Sequence, residues 1–406
     1  MQLTRRVADA CPFTTSLSQQ EREMKRIVTA TCLALAGLSA ASSGFAQELA
    51  VHGAVTQYKV AALANAAAGP RIDYLHARPL PMPDPRLAAP NMLDALQHNA
   101  ATLLGAPGVS AGGAGSGERM QLQVAPAQLL GTDSGIISEE FGTSNQPFTT
   151  NRVNALGDTT VSFYPYRAAG KLFFNIGSAT YLCSASLIKP GVVVTAAHCV
   201  ANFGQHQFYS NWTFVPAYNN GSAPYGVWTA SSAFVMSSYY NGTDSCAVPG
   251  VVCQNDVAVI TLRPQSGIYA GNRAGWYGYG WNGYGFTPNS TALIDQLGFP
   301  VALDGGLLMQ RNDSQGYVAS TFSNNTVIGS LMTGGSSGGP WLVNLGIQPV
   351  LSGTSFGSGA GRNVVVGVTS WGYTNTAVKQ QGASPFTTGN IVPLVSAACS
   401  NFPGGC

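Results

Sequence analysis

Gly334-Gly335-Ser336-Ser337-Gly338-Gly339-Pro340-Trp341 is the stretch on which the reading of this chain turns. Glycines flank two serines, and the segment runs straight into an apolar strand, Trp341-Leu342-Val343. A flexible Gly/Ser loop is the plain reading, and this chain has others. The strand that follows points elsewhere. Glycines on both sides of a serine let backbone N–H groups converge on one point, which is what a developing oxyanion requires. On that reading Ser337 is a nucleophile and the amides of Gly335 and Ser337 are its oxyanion donors.

A serine nucleophile needs a base, and the base needs to be fixed. Beyond position 150 the only histidines are His198 and His206. His206 sits in a polar loop. His198 lies in Val194-Thr195-Ala196-Ala197-His198-Cys199, where small alanines permit a sharp turn and Cys199 can tether it to Cys183 on the preceding strand. The third segment is Asn255-Asp256-Val257-Ala258-Val259-Ile260. Asp256 could simply cap a turn, but the apolar strand would carry it inward, where a carboxylate needs a partner. His198 would satisfy it, and Asp256 would hold the imidazole tautomer in return.

Chain order discriminates among the known solutions. Gly335-Ser336-Ser337-Gly338-Gly339 also fits G-x-S-x-G, whose α/β-hydrolase fold places acid and histidine after the serine. No His, Asp or Glu follows Ser337. An Asp-His-Ser order would need Asp158 and a helix-rich α/β pattern that the sequence lacks. His, Asp, Ser is the order that remains.

The chain has 406 residues, a net charge of +2, 9% charged residues and 45% hydrophobic ones, with mean hydropathy +0.11. That balance excludes charge-rich disorder and supplies no basic surface for nucleic acid. Met24-Lys25-Arg26, then the apolar Ile27–Leu38 and Gly44-Phe45-Ala46, form a basic, apolar and small-residue succession. This reads as a secretory signal peptide cleaved after Ala46, with Met24 as the working start. Export makes the protein extracellular or periplasmic, without a membrane anchor once the signal is removed. Cys11 and Cys32 leave with the leader. Cys183, Cys199, Cys246, Cys253, Cys399 and Cys406 remain, an even set that implies disulfides. Sequential pairing is the simplest arrangement. No metal ligand pattern stands out, and no metal or cofactor is expected.

Three regions follow: 1–46 as leader, 47–150 as pro-segment or linker, and 151–406 as the working unit. The middle region is rich in Ala, with Pro79-Leu80-Pro81-Met82-Pro83 and Gly112-Gly113-Ala114-Gly115-Ser116-Gly117, a composition that suggests little structure. The last region has no Glu and six Asp. Its short strand-like runs are Lys171–Ile176, Tyr181–Ile188, Val192–Thr195, Trp212–Val215, Val227–Val235, Asp256–Leu262, Val327–Leu331 and Val364–Trp371. They predict an all-β sandwich or barrel, with a short terminal helix over Ile391–Ala398.

Thr195-Ala196-Ala197-His198-Cys199, Asp256-Val257-Ala258-Val259, Gly335-Ser336-Ser337-Gly338-Gly339-Pro340 and Thr369-Ser370-Trp371-Gly372 together resemble the trypsin/chymotrypsin-like serine proteases. Tyr164–Phe174 and Gly298-Phe299-Pro300 resemble the bacterial glutamyl-endopeptidase-like branch. The resemblance covers about 155 to 400. It implies two six-stranded antiparallel β-barrels, a site in the cleft between them, and peptide or protein substrates. It also implies that Ser370, Trp371 and Gly372 align a substrate as an extra antiparallel strand.

Two departures stand out. Animal members of the family carry Asp just before the nucleophile to bind a freed N-terminus; here that residue is Ser336. By ungapped count the base of the primary pocket lies near Leu331, with Thr333 nearby, which disfavours Arg or Lys substrates and leaves Glu or a small apolar residue open. The expectation is a monomeric, secreted serine endopeptidase made as a zymogen. The alternatives are an inactive binding or adhesion protein on the same fold, and an esterase using the same triad.

Overall fold

A computed structural model describes residues 48–60, 71–85, 105–128, 147–154, 159–346 and 361–406. The expected leader lies outside the described residues, as does Asp158.

Valine-, isoleucine- and alanine-rich runs such as Val192–Thr195 and Ala258–Leu262 are buried along their whole length. β-Branched side chains favour the pleated, packed conformation, and complete burial demands a covering on both faces. A closed barrel supplies one covering and the packing around it the other.

The first barrel is built from β1 (Ala169–Ile176), β2 (Ala179–Lys189), β3 (Val192–Thr195), β4 (Ser210–Pro216), β5 (Trp228–Met236) and β6 (Ala258–Leu262). Its ring order is β1-β2-β3-β6-β5-β4, closing back on β1, antiparallel throughout. The second contains β7 (Thr291–Gly298), β8 (Gln310–Ala319), β9 (Asn325–Gly329), β10 (Pro340–Val343), β11 (Val364–Gly372) and β12 (Gln380–Pro385). Its ring is β7-β8-β9-β12-β11-β10, the same order displaced by one barrel. Closure leaves neither sheet with free edges around the ring. The helix Ile391–Asn401 follows and packs against β5 and β6. Among the described residues no helix is long and apolar enough to cross a membrane.

The first barrel's strands match the expected runs closely. The second barrel was harder to foresee: no strand was expected over Thr291–Gly298, Gln310–Ala319 or Gln380–Pro385. Polar residues face the interior of these strands. Gln296, Gln310, Asn312, Ser314, Gln380 and Gln381 are all buried, so the hydropathy alternation that betrays a strand is missing. Several of their side chains are bonded internally: Gln296 Nε2 donates to Thr369 Oγ1 at 2.8 Å, and Asn312 Nδ2 donates to the Gly329 carbonyl at 2.9 Å.

The region before 155 is extended where it is described, and it borrows the barrels' strands. The hairpin Glu48–His52/Val55–Lys59 pairs with β5, Arg78–Pro79 lies parallel to β2, and Phe148–Arg152 pairs with β8. Gly108–Ser110 pairs with Gly278–Trp281, which continues β11's sheet. Segments with no core of their own are ordered here by main-chain pairing.

One hydrophobic cluster spans both barrels, from Leu172, Val193 and Ile260 to Leu297, Leu342 and Val368. Three disulfides join Cys183 to Cys199, Cys246 to Cys253 and Cys399 to Cys406, the sequential pairing.

Lys171 is an exception inside this core. It is 3% exposed, and its Nζ lies 4.3 Å from the ring centre of Tyr218, 5.3 Å from Phe173 and 5.8 Å from Phe299. Burial pushes its ammonium down from 10.5 to about 7. The folded-state value lies below the unfolded one, so the unfolded chain binds the extra proton between them and stability rises as pH climbs through that window. Lys171→Met is therefore expected to stabilise the protein below pH 7, with the advantage shrinking toward pH 10.5. Thermal midpoints across pH measure this; a gap independent of pH would show that the three rings keep the ammonium charged.

Candidate active site

β3 ends at Thr195, and the chain enters a single tight turn, Ala197–Cys199, that carries His198. Ala196 and Ala197 are fully buried, which only small side chains permit here. The Cys183–Cys199 bridge ties the turn to β2. β6 pairs with β3 in the register Ala258↔Thr195. That pairing brings Asp256, just before β6, beside the turn.

Asp256 is 2% exposed and spans the histidine twice. Its Oδ1 accepts from the His198 backbone N–H at 2.8 Å, and its Oδ2 lies 2.8 Å from His198 Nδ1. Ser370 Oγ donates to Oδ2 as well. A carboxylate facing Nδ1 holds the proton there and leaves Nε2 as an acceptor. His198 Nε2 has no hydrogen-bond partner among the described residues, and neither does the buried Ser337 Oγ. Nearby, Asp244 accepts from Asn255 N–H and Nδ2 at 2.8 and 2.6 Å, and burial raises its carboxyl above the usual range.

The serine loop is fixed from both barrels. Ser336 N–H and Oγ both donate to the Thr333 carbonyl, at 3.1 and 2.7 Å. Gly338 N–H donates to Thr369 O at 2.7 Å. From the first barrel, Ser184 N–H donates to Ser337 O at 2.7 Å, and Ser184 Oγ to Gly335 O at 2.9 Å. The N–H groups of Gly335 and Ser337 have no acceptor among the described residues. Two unengaged amides on a rigid loop are what oxyanion stabilisation needs.

A cavity of about 380 Å³ opens beside this loop, with Leu331, Thr333, Gly334, Gly372 and Lys379 among its walls. Leu331 and Thr333, expected near the primary pocket, and Gly372, expected to align a substrate, all line this cavity. Ser370 is occupied with Asp256. The Trp371 ring is fully buried, stacks on Phe322 at 5.1 Å and donates to Asn325 Oδ1 at 2.7 Å, so its side chain is not available to a ligand. Thr369 is buried too, bonded by Trp341 Nε1 at 2.9 Å as well as by Gln296. His206, the other histidine beyond position 150, is exposed, and its carbonyl accepts from Tyr240 Oη at 2.6 Å.

Sequence reasoning missed Ser184, Gln296, Gln381 and Lys379. Gln381 Nε2 donates to the Met332 carbonyl at 2.6 Å and so shapes the pocket wall. None of these belongs to a local motif; each matters through a partner distant in the chain. Among the described residues, two groups bring histidine, carboxylate or sulfur atoms close enough for a metal, Cys183/His198/Cys199 and Asp244/Cys246/Cys253. In both, the two sulfurs are joined to each other, so neither offers the thiolates a soft metal would use.

A Trypsin family model matches residues 158–388. The "Extracellular metalloprotease" of Bacillus subtilis (strain 168) is 33% identical over 123 residues, 30% of this chain and 35% of that protein. The "Glutamyl endopeptidase" of Bacillus licheniformis is 29% identical over 123 residues, 30% of this chain and 34% of that protein. The aligned part of this chain spans about a third of the length of these curated relatives. Among solved structures, protease Anisep from Arthrobacter nicotinovorans is similar over 59% of this chain and 95% of its own, at 25% identity and TM-score 0.44.

Gly338 tests the loop's design. Its φ is +76°, and a Cβ there would lie 1.9 Å from Thr195 Oγ1 and 2.5 Å from Ser184 O. Gly338→Ala is expected to destabilise the fold by about 2–4 kcal/mol, from strain and overpacking together. Chemical denaturation measures this; a variant within about 0.5 kcal/mol of the parent would mean the loop is not held as described.

Proposed function

The chain belongs to the trypsin family, and we propose that it is a secreted serine endopeptidase of the glutamyl-endopeptidase branch, working through His198, Asp256 and Ser337 on peptides and proteins. The observation that carries this is the Asp256–His198 pair at 2.8 Å, with His198 Nε2 and Ser337 Oγ both buried and without a hydrogen-bond partner among the described residues.

In the proposed reaction Ser337 Oγ attacks the scissile carbonyl while His198 Nε2 takes its proton. Asp256 accepts the Nδ1–H bond and stabilises the imidazolium that forms. The oxyanion sits between the N–H groups of Gly335 and Ser337. His198 then passes its proton to the leaving amine, which departs and leaves an acyl-Ser337. Water, deprotonated by His198, releases the acid and restores the serine. The chemistry needs no metal or cofactor at this site.

Leu331 in the pocket wall, with no carboxylate among the described residues that line the cavity, supports the reading that Arg and Lys are disfavoured. Secretion, removal of the segment before 151 and a monomeric state rest on the leader pattern and the family. They belong to the proposal.

Ser337→Ala is expected to abolish hydrolysis with the thermal midpoint nearly unchanged. Asp256→Asn is expected to lower kcat by roughly 10⁴, through the wrong histidine tautomer. A fluorophosphonate should label Ser337 in the protein recovered from culture medium, located by mass spectrometry. An unlabelled, folded, processed protein would point to the inactive binding role instead. Turnover of esters without any turnover of peptides would point to the esterase.

A further inference from the structure

Pro79-Leu80-Pro81-Met82-Pro83, singled out in the sequence for its composition, lies across the proposed active site. Arg78 and Pro79 pair with Tyr181 and Leu182 of β2, and Leu80 N–H donates to Leu182 O at 3.2 Å. The Leu80 carbonyl lies 3.3 Å from where a Cβ on Gly334 would stand. Pro81 and Met82 stand at the walls of the 380 Å³ cavity. Gln381 Nε2 donates to Met82 Sδ at 3.3 Å. Gly372 N–H donates to Pro83 O at 3.1 Å, and Thr374 Oγ1 to Asp84 Oδ2. Beneath this cover Ser337 is 0% exposed and His198 7%.

The direction of the segment matters more than its presence. Pro83 meets Gly372 and Asp84 meets Thr374, so the segment advances in the same sense as the end of β11. A substrate strand on this edge is expected to run antiparallel to it. The segment therefore occupies the main-chain site backwards, and its carbonyls do not present a scissile bond to Ser337 in productive alignment. Proline at 79, 81, 83 and 85 reinforces this. It removes every second N–H and holds the backbone extended, so little conformational entropy is lost on docking.

The serine loop needs no assembly step of the kind that a freed N-terminus provides. Ser336 is already tied to Thr333 O within the loop, and the Gly335 and Ser337 amides have no acceptor among the described residues. Control then has to act on access.

We propose that Arg78–Asp84 is a built-in, reverse-running inhibitor strap, and that the intact chain is latent because this strap fills the substrate cleft of a preassembled site. The proposal rests on the hydrolytic reading above.

The test compares labelling of Ser337 by a bulky, reporter-bearing fluorophosphonate in the intact chain, verified by mass, with the same chain carrying Leu80→Gly, Met82→Gly and Asp84→Ala. The variant is expected to label at least tenfold faster. A synthetic peptide of residues 77–85 should inhibit the processed wild-type enzyme competitively and be recovered uncleaved. The peptide arm stands even where the triple variant fails to fold. Equal, fast labelling of both chains would overturn the strap while leaving the catalytic reading intact. Cleavage of the peptide at a substrate's rate, or no inhibition at millimolar peptide, would overturn it too. Absence of labelling in both chains and in the processed enzyme would overturn the hydrolytic reading and the strap with it.

Discussion

Ser184 is the point through which the rest of the molecule is held together. Its N–H holds the Ser337 carbonyl at 2.7 Å, and its Oγ donates to Gly335 O at 2.9 Å while accepting from Phe299 N–H at 3.0 Å. Its carbonyl accepts from Thr195 Oγ1 at 2.9 Å. One buried residue of the first barrel thus fixes the serine loop of the second, the connection after β7, and the strand that leads to His198. Cys183, its neighbour, carries the bridge to Cys199. In a low-dielectric interior each of these bonds is expensive to lose, because the orphaned partner stays buried. The relative placement of the proposed base and nucleophile is set there.

The two barrels share a strand order but solve the burial problem differently. The first is lined by Val, Ile, Leu, Phe and Ala. The second carries amides and hydroxyls inside, bonded to one another, and a charged cluster at its side. There Arg311 bridges Asp295 and Asp313 at 2.8 Å each. Burial first, and the neighbouring Asp313 second, push the Asp295 carboxyl up to about 7. Such networks are costly when incomplete and specific when satisfied. Their effect is felt at the site, since Gln296 and Gln381 fix Thr369, Ser330 and Met332 around the pocket.

The separation between assembling a site and admitting a ligand also follows from these bonds. A loop held by its own backbone carbonyls and by Ser184 is formed whether or not the cleft is occupied. A proline-rich segment of this same chain can then lie in the cleft without being needed to build it.

What the sequence set out by itself was the proposed triad and its order. His198 beside Cys199, Asp256 before an apolar strand, and Ser337 among glycines are local signals, because each reflects what its own neighbours must do: turn sharply, enter the core, or free an amide. The first barrel's strands were legible because their buried positions include long runs of apolar residues, such as Val192–Val194 and Ala258–Ile260. Only the tertiary structure decided the rest. The strands of the second barrel are polar inside and lack alternation. Ser184 and Gln381 matter through partners 153 and 49 positions away. Trp371 turns its ring into the core because Phe322 and Asn325 receive it. The direction in which Pro79–Pro83 crosses the cleft is likewise a property of the fold. Composition can say that a segment is stiff and extended, but its polarity against a strand edge exists only once the edge has formed.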